Sequence, residues 1–216
     1  LDRLIPMIIR FNPTLLNRNV APCIAEFVSA EIPDLRPTFP QAEHWLSNHF
    51  LNTLFGPKFT GNSRQLAINL LSRAQGQFSF FHEARESTHT FLEKSKPYYP
   101  AVRHYYGAIV RWEACFLNLQ MFVDTYKRLF GKEVFERGDG SEVQRAYDMA
   151  NNVKHWAGVV KSDRSDDEHT IPLWMSNSGF HTYTHSLTYA ELSAITAEVA
   201  KTANLLQNPG SIAKAT

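Results

Sequence analysis

The sequence predicts an all-α fold: an antiparallel helical bundle built on two long helices, with a small β-hairpin before the last helix. Three observations carry that expectation. From residue 62, the side chains Leu66, Leu70, Ala74, Phe78, Phe81, Thr88 and Phe91 recur mostly every three or four positions. That is the period of a helix with one buried stripe. Beyond the Lys96-Pro97 break, a second run keeps the same period through Val102, Tyr105, Ile109, Trp112, Phe116, Leu119, Phe122, Tyr126 and Leu129, and Gly131 closes it. The connection around residues 97–100 is short, which makes the two helices antiparallel neighbours. Each covers about thirty residues, or roughly 45 Å of helix.

The first sixty residues read differently. Seven of the eleven prolines fall between Pro6 and Pro57. Proline removes a backbone donor and disfavours helix in the residue before it, so short helices and irregular connections are expected here. Helices are placed at about 21–30 and 38–55, the second anchored by Trp45, Phe50, Leu51 and Leu54. Residues 1–60 form an N-terminal cap on a bundle of residues 61–216. Asn62 with Gln65 opens the first long helix in the form of a capping box.

A third helix runs from Ser141, where Ser141 and Gln144 suit a capping box, to about Ala157. Val143, Tyr147, Ala150 and Val153 face inward along it. Residues 161–169 are polar and acidic, and read as a loop. Strands at 170–175 and 180–187 flank a turn-rich spacer at 176–179, giving the hairpin. The final helix has the best local signature. Thr188 and Glu191 form a capping box, Leu187 and Leu192 suit a hydrophobic staple, and Leu192, Ile195, Val199 and Leu206 continue its apolar face.

Composition bounds function without naming it. The 216 residues are 44% hydrophobic and 20% charged, which is globular and not disordered. One domain, or one with an appendage, is expected, burying roughly 70% of its unfolded surface. Lys+Arg 22 against Asp+Glu 21 excludes a dominant basic surface, although a local basic patch stays open. Cys23 and Cys115 form no CxxC pair and cannot make a zinc site alone. The uncharged run 114–123 is too short to span a bilayer. The opening residues lack a signal-peptide pattern, and a first residue of Leu hints at a missing or processed start. A cytoplasmic protein without a membrane partner is expected. No GxGxxG, GxxxxGK[ST], HExxH or GxSxG occurs, so no cofactor is implied.

The most informative string lies on the third helix: Arg145, Tyr147, Asp148, Ala150, Asn151, Asn152, Val153, Lys154 and His155. In this order, after two long antiparallel helices, it resembles the HEPN superfamily of small all-α proteins, many of them toxins or defence-system RNases. The resemblance covers roughly residues 62–206. The family motif is an arginine, usually followed by a polar residue, then a histidine four to six positions on. Asn151 takes the polar position and His155 the histidine. The arginine position falls on Ala150. In metal-independent RNA cleavage a histidine moves the 2′-hydroxyl proton, and an arginine donates to the phosphate as charge develops. Alanine does neither. Arg145 is offset around the helix from His155 and is a poor substitute for the missing motif arginine.

Asp148, Asn152 and His155 share a face through i, i+4, i+7 spacing. Such a face binds something, or forms a hydrogen-bonded network at a dimer seam, and the structural reading is preferred. The candidate catalytic residues are therefore His155, Asn151 and Arg145, and the candidate binding residues Asp148, Asn152 and Lys154. A second Arg–His spacing, Arg164 to His169, sits among acids that would repel RNA. His181, Tyr183 and His185 alternate. On one strand, His181 and His185 would lie about 13 Å apart, too far to share an ion, so no metal site is assigned. The aromatic run Tyr98, Tyr99, Tyr105, Tyr106 and Trp112 is read as core before base stacking, and Lys94, Lys96, Arg103 and His104 as at most a phosphate-contacting rim.

The resemblance implies a homodimer in a prokaryotic stress or defence setting, and the wide aromatic stripes also leave surface for a twin. The leading expectation is a noncatalytic or weakly catalytic interaction module binding RNA, a nucleotide or an antitoxin-like protein. The alternative is a metal-independent endoribonuclease using His155, with Arg145 or a partner's arginine. A third class is a metal hydrolase through His169, His181 and His185.

Overall fold

A computed structural model of the chain describes residues 12–55, 61–96, 100–161 and 170–208. Helix α1 spans Pro13–Asn19, and a 3-10 turn at Ala42–His44 leads into α2, Trp45–Phe55. The two long helices are α3, Gly61–Lys94, and α4, Val102–Phe130; α5 is Glu142–Lys161. Strands β1 (Trp174–Ser176), β2 (Gly179–His181) and β3 (Ser186–Thr188) precede α6, Tyr189–Leu206. The fold is the helical bundle on two long antiparallel helices that the periodicity predicts. Among the described residues, no helix is long and apolar enough to cross a membrane.

The α3–α4 pair works because its stripe is apolar or internally satisfied. Ala74, Phe81, Phe91, Tyr105, Trp112 and Phe116 are wholly buried. Thr88 belongs to the stripe because its hydroxyl donates to the Ala84 carbonyl at 2.9 Å and accepts the Trp112 indole N–H at 2.8 Å. At Gly76 the helices come so close that a Cβ would stand 3.3 Å from the Asn118 side-chain oxygen. Gly131 ends α4 in the left-handed region at φ 64°, its N–H returning to the Lys127 carbonyl. Helix α3 begins one residue before Asn62, which puts that side chain inside the helix and not at its cap.

The caps of the later helices follow the sequence closely. At α6 the Glu191 N–H donates to Thr188 Oγ1 at 3.1 Å and the Thr188 N–H to Glu191 Oε2 at 2.7 Å. Leu187 and Leu192 are buried on either side of that turn. At α5 the Gln144 N–H meets Ser141 Oγ, but the Gln144 side chain accepts from Gly140 while Asp139 takes the Ser141 N–H. The box is shifted by one residue. Helix α5 also runs to Lys161, past the expected end at 157.

The hairpin is a three-stranded antiparallel sheet in the order β1-β2-β3. The strand expected over 180–187 is two strands, paired Phe180 to Leu187 and His181 to Ser186. A turn at 182–185 divides them, because Thr182 Oγ1 draws in the N–H of His185 at 3.1 Å. Gly179 at φ 153° has no alternative: a Cβ there would lie 2.2 Å from the Leu187 carbonyl oxygen.

The cap departs most from expectation. Residues 21–30 are not a helix, although Ala21, Ile24 and Phe27 are buried at helical spacing. Ile24 and Glu26 close local turns on the Ala21 and Cys23 carbonyls, while Asn17 Oδ1 takes the Ala25 N–H and Asn177 Oδ1 takes those of Val28 and Ser29. Cys23 sits at φ 63°, which breaks the helical path. Helix α1 instead starts at Pro13, where Asn12 Oδ1 caps the Thr14 N–H. The expected 38–55 helix begins only at Trp45, behind turns around Pro40. The cap shares the bundle's core, with Phe27 stacked on Phe91 at 5.4 Å and Trp45 edge-on to Phe78 at 5.5 Å. Of the four expected α2 anchors, only Trp45 is buried. Phe50, Leu51 and Leu54 are 63%, 51% and 52% exposed.

Candidate functional site on helix α5

Helix α5 packs against α4 on one side and against the sheet and α6 on the other, so its motif residues point in several directions. Ala146, Met149 and Ala150 are wholly buried. The position where the family pattern has arginine therefore faces the core, not a cleft. Five residues advance a helix by about 500°, so Ala150 and His155 cannot share a face. His155 and Lys154 are exposed. Asn151 turns to α4, where its side-chain oxygen accepts from Gln120 Nε2 at 2.6 Å.

Arg145 bridges to the last strand and helix. One guanidinium nitrogen donates to the Ser186 carbonyl and another to Glu191 Oε1, both at 2.7 Å. Burial pushes the Glu191 carboxyl up, but hydrogen bonds from Thr188 and the Arg145 guanidinium outweigh it and hold it below the usual carboxylate range. Glu191 thus caps α6 and anchors Arg145 with the same carboxylate.

Asp148 and Asn152 meet the turn between β2 and β3. Asn152 Nδ2 donates to Thr182 Oγ1 at 3.0 Å and to Thr184 Oγ1 at 2.8 Å. His185 Nδ1 lies 2.6 Å from Thr184 Oγ1, and its Nε2 lies 3.9 Å from Asp148 Oδ2. Hydroxyl, imidazole and carboxylate thus stand in the order of a nucleophile relay. The carboxylate distance is too long for a hydrogen bond, and Asn152 already donates to the hydroxyl. Chemically this is a clamp: when His185 is charged, Asp148 attracts it and the turn is held on α5. Asp148 and Asn152 of the polar face meet their own chain, and His155 stays exposed.

The turn residues Thr182, Thr184 and His185 are the partners that spacing alone misses. A strand reading of 180–187 scatters them over two faces, while the turn gathers them toward α5. His181 stands apart. Its Nε2 is 2.7 Å from Ser176 Oγ, its ring stacks on Trp174, and burial pushes its pKa down. His181 and His185 serve different networks, and among the described residues no group of three His, Cys, Asp or Glu side chains could hold a metal ion. Arg164 and His169 lie outside the described residues, as do Tyr98 and Tyr99.

Tyr105 and Trp112 are core residues, and burial together with a 3.1 Å contact from the Met175 N–H fixes the Tyr105 hydroxyl. Tyr106 is partly exposed and donates to the Val20 carbonyl at 2.9 Å. Lys94, Lys96, Arg103 and His104 are all exposed near the α3–α4 connection. No protein-family model, curated protein or solved structure matches the chain.

Proposed function

We propose that this protein is a noncatalytic interaction module of HEPN-like build that acts as a homodimer. The observation that carries the reading is the commitment of the α5 side chains: Arg145, Asp148, Asn151 and Asn152 all meet groups of their own chain, and Ala150 lies in the core. A nuclease needs a cation free to meet the phosphate as charge develops. This helix has none at the family's arginine position.

Association is supported by α2. Among the described α-helices it is the one without an Asp, Glu, Lys or Arg, and it exposes Leu46, Phe50, Leu51 and Leu54 next to Ile68 of α3. Five large side chains, each about half exposed, leave on the order of 500 Å² of apolar surface, at the upper end for a monomer. A two-fold axis brings the patch against its own copy, with Arg64 of α3 as a charged side chain at its edge.

A second reading rests on His155. It is exposed beside Lys154, so an RNA phosphate could reach both, with the arginine supplied by a second subunit. Gel analysis of labelled single-stranded RNA with chelator present separates the readings. The module predicts no cleavage above a no-protein control. Cleavage by the wild type that disappears in His155→Ala overturns it in favour of the ribonuclease.

A further inference from the structure

The α5 face is filled from within, but a groove beside it, along α6, is not. It lies between α4, the first turn of α5 and the middle of α6, with a volume of about 420 Å³. That is within the range of small-molecule sites. Its floor is apolar and belongs to the core: Phe122, Ile195 and Val199 are nearly inaccessible, and Tyr126 stands beside Phe122 with ring centroids 6.2 Å apart. Its charged lining, among the described residues, is carboxylate only, from Glu142, Glu191 and Glu198.

Two of those carboxylates have cations of their own. Glu191 holds Arg145 at 2.7 Å, and Glu198 holds Lys201 at 2.6 Å. Glu142 is exposed in the first turn of α5, where the helix's positive end favours a carboxylate. Three negative charges against Arg145 and Lys201 leave one in excess. An apolar floor, two aromatic rings and a single unbalanced carboxylate at the rim suit one kind of molecule. The excess negative charge favours a cation, and the apolar floor takes an apolar body.

We propose that the α4–α6 groove binds a hydrophobic organic monocation, an ammonium carrying an aliphatic or aromatic body. The ammonium sits at the carboxylate rim beside Glu142, and the body lies over Phe122 and Val199. A fatty-acid anion of the same length is excluded by the rim. This site shares Glu191 with the Arg145 bridge but uses neither His155 nor the dimer face on α2.

Titration calorimetry with octylammonium, octanol and octanoate tests the assignment on the full chain. Octylammonium is expected to bind saturably with one site per chain. Glu142→Gln with Glu198→Gln should weaken octylammonium about fivefold, the scale of a partly exposed ion pair, and leave octanol unchanged. Ala194→Trp, at the mouth of the groove, should abolish both. Octanoate binding as tightly as octylammonium overturns the proposal, as does octylammonium binding that the carboxylate changes leave intact. Light scattering on Ala194→Trp adds a control: loss of a dimer that the wild type forms would assign the groove to a second copy instead. Because the carboxylate variants alter only the rim, they decide the matter even where the tryptophan variant does not fold.

Discussion

The outward faces of α5 and α2 make opposite use of their residues. Helix α5 carries the most chemically suggestive string in the chain, yet its polar groups are absorbed by α4, the β2–β3 turn and α6. Helix α2 has no such string, and it leaves Phe50 and Leu54 open to solvent. The contrast follows from cost. A half-buried amide or guanidinium without a partner costs roughly 1–3 kcal/mol, so polar groups near a packing seam find partners inside the chain. An exposed leucine carries no such penalty and can wait for a second surface.

Five substitutions at four positions break or sharpen that contrast, and Ala150→Arg should have the largest effect. It places a guanidinium in a wholly buried position and should cost at least about 3–5 kcal/mol, the scale of an uncompensated buried charge. Urea unfolding should show loss of the cooperative native baseline. A variant as stable as wild type would mean that the helix has turned its motif outward. Next comes Phe50→Asp, which places a charge on the patch opposite its own copy. Light scattering should report a dimer for the wild type and a monomer for the variant at the same micromolar concentration, with the melting of the monomer little changed. A wild type that runs as a monomer removes the α2 interface.

Removal of the Arg145 bridge should be milder. Arg145→Ala loses two charge-assisted bonds in a setting about one-quarter exposed, and about 1–2 kcal/mol of stability should go with them. Arg145→Lys cannot span both acceptors and should recover only part of that. Full recovery by lysine would show that charge alone matters there. The smallest effect belongs to His155→Ala, within about 0.5 kcal/mol in chemical denaturation, as for other exposed positions. A larger loss would mean that His155 has a structural partner after all.

Local rules carried the long helices. The α3 and α4 stripes repeat over thirty or so residues, and the Thr188–Glu191 box is written within four, so each is readable from neighbouring sequence. The cap and the α5 partners are not local. Ala21, Ile24 and Phe27 mimic a helix by spacing, but their segment closes tight turns and takes further hydrogen bonds from Asn17 and from Asn177, about 150 positions from Val28. Likewise Asn152 finds Thr182 and Thr184 thirty or more residues on, through a turn that alternation had read as strand. The residue types of the α5 face were legible; the surfaces they meet were set by tertiary packing.

The reach of Asn177 bears on the order of events in folding. From the turn between β1 and β2 it receives the N–H groups of Val28 and Ser29 and donates to the Glu26 carbonyl at 3.1 Å. A chain emerging from the ribosome contains the cap long before it contains this asparagine. Until then the Val28 and Ser29 amides lack these acceptors, although Phe91 and Tyr105, which flank Phe27, are already in the chain. Closing so long a loop comes late, so the backbone of residues 26–29 takes its final hydrogen bonds after the helices it rests on have been made. During synthesis the Val28 and Ser29 amides are therefore served by water until the β1–β2 turn arrives.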